Sequence, residues 1–273
     1  MTGSVITYLA MPVLVYQLTG SNFWTAAVVA AESLPYVGLG LVAGALADRL
    51  DRRRVMVAAD VVSAFLLASV PITYYLGGLT APHVLLVAFA AQSAFVFFDA
   101  ANFGALPTLV GAGRIAAAQS TVFGASTVVE LVVPALAGAA LALVPPASLL
   151  AIDAVSFAAS ALLIGAIARP LWDPDRAAGA PRHLGREIGD GLRFLWQQPV
   201  VRVQTLVGTT QAFTGGAFVG QLVPWADQLL GIGPGDRRLG LLFTAWAVGS
   251  LGATLLFPRL ARRYGDARVA LYA

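Results

Sequence analysis

The chain of 273 residues is 58% hydrophobic and only 11% charged, with a net charge of +3 and a pI near 9.6. Water-soluble domains carry about 25% charged residues, so this composition excludes a protein that faces water on every side and points to lipid as its solvent. All 17 cationic residues are arginines, set in short clusters between apolar segments with no continuous basic face, which excludes nucleic-acid binding as the source of the positive balance. Without cysteine, a disulfide framework, a thiol nucleophile and a cysteine metal site are excluded as well.

A membrane-spanning helix needs about 20 mainly apolar residues. Apolar runs of that kind fall at 3–18, 23–46, 55–76, 83–106, 115–143, 147–168, 200–226 and 239–258, and a ninth begins near Val269. Their length and continuity, without period-2 alternation, predict helices, which also satisfy their own backbone in lipid. Turn chemistry separates them: "TGSN" (19–22), "GGLTAPH" (77–83), "VPPAS" (144–148) and "GIGPGD" (231–236).

The sixth connection, 169–199, is the longest and begins with the Pro/Gly-rich "RPLWDPDRAAGAPRH". It continues with Leu184, Ile188, Leu192 and Leu195 at helical spacing, separated by Arg186, Glu187, Asp190 and Arg193. That pattern predicts an amphipathic helix, either lying at the membrane interface or acting as a soluble linker. The expected organisation is an N-terminal six-helix half at 1–168, a linker at 169–199, and the start of a second half at 200–273.

Charge alternates along the connections. The second, fourth, sixth and eighth, with their flanks, hold fifteen of the arginines, whereas the first, third and fifth hold none. Even-numbered connections share one face of the membrane, and the positive-inside rule makes that face cytoplasmic. The expected location is the plasma membrane, crossed many times. "LADRLDRRRV" (46–55) is echoed by "LARRYGDARV" (260–269) at an equivalent topological position, which supports two related halves.

The stretch Gly44-x-x-x-Asp48-Arg49-x-x-Arg52-Arg53 resembles the loop motif between helices two and three of the major facilitator superfamily, with Asp51 where that family usually has Gly. The "ADRLDRRR" form is similar to the drug-efflux and siderophore-export branch. So are "LVYQLTGS" (14–21), "LPTLV" (106–110), "IDAVSFAASALL" (152–163) and "GLRFLWQQP" (191–199). The resemblance implies an all-α integral membrane bundle of twelve helices, of which about eight are complete here. It also implies that the Gly44, Asp48, Arg49, Arg52, Arg53 cluster latches two rocking halves. The cluster's other reading is a pure topology signal. Physically, Asp48 can accept hydrogen bonds from the start of helix three, or pair with Arg52 or Arg53. Gly40 and Gly44 can let a neighbouring helix come close.

Carboxylates inside spans are costly and point to function by default. Glu130, near the middle of helix five, is the first choice for a proton-binding or cation-recognising group. Glu32 in helix two and Asp99 in helix four are further candidates for the proton or substrate path. Asp99 could alternatively pair with the arginine loop. Asp60 and Asp153 lie near interfaces and read as structural. Pro134 kinks helix five, and Pro134 with Gly138 resembles a degraded antiporter motif. Trp24, Tyr36, Phe95, Phe97, Phe98, Phe213, Phe218 and Trp225 could line a drug pocket or serve as packing and interface anchors.

No Gly-rich phosphate loop with Lys is present, which excludes an ATP-driven pump in this chain. His83 and His183 lie on opposite faces and form no metal pair, so neither metal nor cofactor is expected, and no enzyme activity. The leading reading is a secondary transporter that exports small amphipathic molecules of drug or siderophore class by alternating access, coupled to protons, with lipid and the small molecule as its partners. A non-transporting receptor or scaffold of the same fold, and an importer, are the alternatives. Set against a twelve-helix pattern the chain reads as a fragment, expected not to transport by itself.

Overall fold

The computed structural model describes residues 2–111, 114–141, 143–168, 171, 184–233, 236, 238–246, 248, 249, 252 and 256. Every regular element among them is a helix. The order is α1 (Thr2–Thr19), α2 (Asn22–Arg49), α3 (Arg52–Tyr75), α4 (Ala81–Val110), α5 (Ile115–Leu141), α6 (Pro146–Gly165), α7 (Leu184–Gln197) and α8 (Pro199–Leu230). Residues 238–246 form a further helical segment, α9. The Pro/Gly-rich first part of the expected linker, the echo at 260–269, Val269 and His183 lie outside the described residues.

α2 to α6 are each long and apolar enough to cross a membrane. α8 is longer still, at 32 residues, but Gln204, Thr205, Thr209, Thr210, Gln211 and Thr214 interrupt its apolar sequence. Three of these threonines neutralise their own polarity. Thr209, Thr210 and Thr214 donate to the carbonyls four residues back at 2.8, 2.9 and 2.9 Å, so the helix carries hydroxyls without leaving them unpaired. α8 ends at Gly231, whose left-handed backbone (φ 62°) lets its N–H cap the Asp227 carbonyl, a conformation in which a side chain would be strained.

α3 packs between α4 and α6, α2 lies along α4, and α1 touches α2, α5 and α6. The core is built from small and branched residues, including Ala10, Leu14, Val28, Val70, Val84, Ala88, Ala147 and Leu150. Association in lipid depends on such close packing and on polar ties, because the hydrophobic effect offers little there. The ties are present. Asp153 on α6 is fully buried and accepts from Thr7 of α1 and from Ser156 at 3.0 Å. Ser69 of α3 meets His83 of α4 at 2.9 Å, and Tyr75 of α3 meets Ser148 of α6 at 2.6 Å. Phe65, Phe103, Phe123, Leu136, Leu162 and Leu163 point away from the bundle, as lipid-facing side chains do.

The expected Gly40/Gly44 contact is absent. No described atom comes within 4 Å of where a β-carbon would stand on either residue. Close approach occurs instead at Gly104, Gly138 and Gly220. The expected amphipathic helix is present as α7, which packs on α2 and α8, with Ile188 and Leu195 partly covered and Leu192, Phe194 and Trp196 exposed.

Candidate functional site

α8 lies against α1 and α2, and between them, with α4 as the far wall, is a cavity of about 1390 Å³. Its walls are mostly apolar and small. Tyr8 comes from α1, Val29, Glu32, Ser33 and Tyr36 from α2, and Ala91, Gln92 and Phe95 from α4. Thr205, Thr209, Phe213, Gly216 and Gln221 come from α8. Drug-sized ligands occupy pockets of about 300–1,000 Å³, so the space is ample. Glycines set the separation of its walls. A β-carbon on Gly220 would lie 3.3 Å from Cγ2 of Val29, so only Gly lets α8 sit this close to α2 without displacing that side chain.

Glu32 lines this cavity. It is only 5% exposed, and neither carboxylate oxygen has a hydrogen-bond partner among the described residues. Among the described residues no other Asp, Glu, Arg or His lines it. Of the aromatics singled out in the sequence, Tyr36, Phe95 and Phe213 line the space, whereas Trp24, Phe97, Phe98, Phe218 and Trp225 do not. Tyr8 and Phe157 also line it and were missed, because neither carries a charge or a motif.

The cavity is closed off at the end opposite the arginines. There Tyr16 of α1 donates to Asp227 of α8 at 2.7 Å, and Gln228 of α8 donates to Asn22 of α2 at 3.0 Å. Tyr16 belongs to a buried apolar cluster with Leu9, Val13, Ala137, Leu222, Val223, Ala226, Ile232, Leu239 and Phe243. Gly138 of α5 belongs to the same seal. A β-carbon on it would stand 2.7 Å from the Gly240 carbonyl oxygen and 3.0 Å from Phe243 Cβ. Thr244 of α9 donates to the Gly240 carbonyl at 2.9 Å, with its oxygen 3.4 Å from the Ala135 carbonyl, one residue past Pro134 in α5. Pro134 and Gly138 thus sit where α5 receives α9.

At the other end, the arginine cluster is organised differently from expectation. Asp51, not Asp48, caps α3, accepting from the backbone N–H groups of Arg53 at 3.0 Å and Arg54 at 3.4 Å. The reason is position. Asp51 is the residue immediately before the first helical turn, where a side-chain oxygen meets the free amides, whereas Asp48 is still inside α2. Asp48 pairs with Arg52 at 3.2 Å across the bend. Arg52 reaches further, donating to the Gly104 carbonyl at 2.7 Å and to Thr108 at 3.5 Å on α4. Gly104 makes room for it, since a β-carbon there would lie 2.6 Å from Arg52 Nε. Arg53 contributes its backbone amide to the cap; Arg49 closes α2 in its last turn.

The remaining candidates stand apart from the cavity. Asp99 on α4 is half-buried and makes no ion pair with the arginine cluster. Glu130 is on an exposed face of α5 and is not a lining residue. Asp60 is buried against α6 with one oxygen unpaired, beside the equally unpaired Ser63. No group of three or more potential metal ligands occurs among the described residues.

Several apolar spanning helices, a substantial cavity between the first helices and α8, and a basic bend seated on α4 define a multi-pass helical membrane protein. The sequence matches the transmembrane secretion effector family over residues 1–273. The chain belongs to that family, within the major facilitator superfamily. It is 34% identical over 215 residues to the multidrug efflux pump Tap of Mycolicibacterium fortuitum, covering 75% of this chain and 51% of the relative. It is 32% identical over 222 residues to the multidrug efflux pump Tap of Mycobacterium bovis (strain BCG / Pasteur 1173P2), covering 76% of this chain and 51% of that protein. The same figures hold for the Tap pump of Mycobacterium tuberculosis (strain ATCC 25618 / H37Rv), at 32% over 222 residues, 76% and 51%. The chain spans about half the length of the curated relatives it matches.

Proposed function

We propose that the chain serves the export of small amphipathic molecules across the plasma membrane, with the cavity between α1, α2, α4 and α8 as the binding chamber. The observation that carries this reading is that chamber: about 1390 Å³, walled by helices from both sides of the 169–199 connection and plugged at one end by Tyr16–Asp227 and Asn22–Gln228. Residues 1–168 and 200–273 act as two bodies joined by the linker. The arginine-bearing end is cytoplasmic, so the conformation is the one closed to the outside, and transport proceeds by alternating access driven by protons. The relatives named as multidrug efflux pumps support the export direction and the drug class.

The test is flux in inside-out membrane vesicles from cells expressing the chain together with the remaining helices of the twelve-helix pattern, because residues 1–273 by themselves are expected not to transport. Accumulation of an amphipathic fluorescent dye that rises with an imposed pH gradient, and collapses with an uncoupler, is the expected result. Saturable dye binding without any gradient-dependent accumulation would overturn export in favour of a receptor.

A further inference from the structure

We propose that Glu32 is the charge-recognition group of the chamber, so that the ligand bound there is a hydrophobic organic cation and not an anion of the siderophore class. The proposal rests on the transport-chamber reading above and decides which of its substrate classes the walls accept.

Four observations meet at this residue. The side chain lines the cavity, is 5% exposed, and has no donor to either carboxylate oxygen among the described residues. A carboxylate held out of water without a partner is unfavourable, and a ligand cation supplies that partner. Among the described residues no arginine or histidine lines the chamber, so a bound anion would face a carboxylate with nothing there to offset it. The rest of the wall suits a cation with an apolar body. Tyr8, Tyr36, Phe95, Phe157 and Phe213 present aromatic rings, whose faces attract positive charge. Ser33, adjacent to Glu32, already donates its hydroxyl hydrogen to the Val29 carbonyl at 3.0 Å, so its oxygen is left to accept from an ammonium. The polar side chains of the remaining wall, Thr7, Gln92, Gln221, Thr205 and Thr209, are neutral and impose no opposing sign.

The experiment compares two probes of the same shape and opposite charge, tetraphenylphosphonium and tetraphenylborate, binding to the purified chain in detergent. Saturable binding of the cation, absence of saturable anion binding, and a loss of roughly 30-fold or more in cation affinity in Glu32→Gln are expected. A second readout needs no variant and covers the case in which Glu32→Gln misfolds. Dicyclohexylcarbodiimide labelling of Glu32, followed by mass spectrometry of the wild-type peptide, is expected to be suppressed by tetraphenylphosphonium and unaffected by tetraphenylborate. Equal affinity for both probes, or a well-folded Glu32→Gln with unchanged cation binding, or labelling that the cation does not suppress, overturns the assignment while leaving the chamber reading intact. Failure of the wild type to bind either probe, together with absent dye flux in vesicles, overturns both.

Discussion

The Tyr16 hydroxyl donates to the Asp227 carboxylate at 2.7 Å, joining α1 to α8 across 211 residues of sequence. The Tyr16 side of the bond belongs to a cluster of buried apolar side chains, and the Asp227 side is partly exposed. A bond to a charged acceptor contributes about 1.5–3 kcal/mol. Tyr16→Phe and Asp227→Asn are therefore each expected to lower the denaturation midpoint of the detergent-solubilised protein. In a double-mutant cycle the second substitution should add little to the first. Fully additive effects would mean that the two side chains stabilise the protein independently.

Arg52 and Gly104 form the corresponding pair at the opposite end. Gly104→Ala places a methyl group 2.6 Å from Arg52 Nε, and the guanidinium, being the movable partner, must leave. The expected cost is that of its lost bonds to Gly104 and Thr108, about 1–2 kcal/mol. Arg52→Ala should accordingly cost much less in the Gly104→Ala background than in the wild type. Measuring the four midpoints checks this, and equal costs in both backgrounds would remove Gly104 as the seat of the arginine.

The cap on α3 gives a graded series. Asp51→Ala is expected to cost about 1 kcal/mol, Asp51→Gly a few tenths, and Asp51→Asn close to nothing. Asp48→Asn removes only an i,i+4 pair whose carboxylate side chain is 77% exposed, for which about 0.3–0.5 kcal/mol is the usual scale. Denaturation midpoints ranked Asp48 above Asp51 would reverse this assignment.

Outside the spanning segments, the Asp236 carboxylate accepts from Arg238 at 2.9 and 2.6 Å and from the Arg238 backbone N–H at 2.8 Å. The guanidinium bonds hold its pKa below the ordinary carboxylate value. Because the folded value is the lower one, the stabilisation is fully present above the unfolded pKa of about 3.9 and disappears as pH falls through the folded value. The wild type is thus expected to exceed Asp236→Asn in midpoint at neutral pH, with the gap closing as the solution is acidified below that range. A gap independent of pH would mean that the pair contributes no linkage.

The proposed orientation is testable because the chain has no cysteine of its own. Ser21→Cys lies in the first connection, and Arg54→Cys replaces a side chain that is 88% exposed in the second. A membrane-impermeant maleimide added to intact cells is expected to label the first and spare the second until the membrane is permeabilised. The opposite pattern inverts the topology.

Much of this architecture is legible in the sequence. Pro146 and the "VPPAS" break fix the start of α6, and the arginine-rich bend separates α2 from α3. What is not legible is which face of each helix looks inward. A helix surrounded by lipid and by other apolar helices is apolar on all sides, so α2, α4 and α6 carry almost no amphipathic signal. Glu32 and Glu130 therefore look alike as letters in an apolar run, although one is enclosed beside the cavity and the other stands on an uncovered face. α7, with four leucine or isoleucine residues on one side, was legible because one of its faces meets water. Pairs such as Tyr16 with Asp227, or Gly138 with Gly240, depend on how distant helices meet, and no local pattern encodes them.

The tight seat of Gly138 on the Gly240 carbonyl and the Tyr16–Asp227 tie lie near one extremity of the molecule, which makes that extremity a fulcrum. From Asp227 back to Pro199, α8 is a lever arm of about 42 Å at 1.5 Å per residue, so a tilt of about 10° sweeps its free tip through roughly 7 Å. While the plug holds, such a swing would change the aperture at the tip by the width of an aromatic ring. Opening to the outside, which the proposed alternating access requires, must instead part the Gly138 seat and the Tyr16–Asp227 tie.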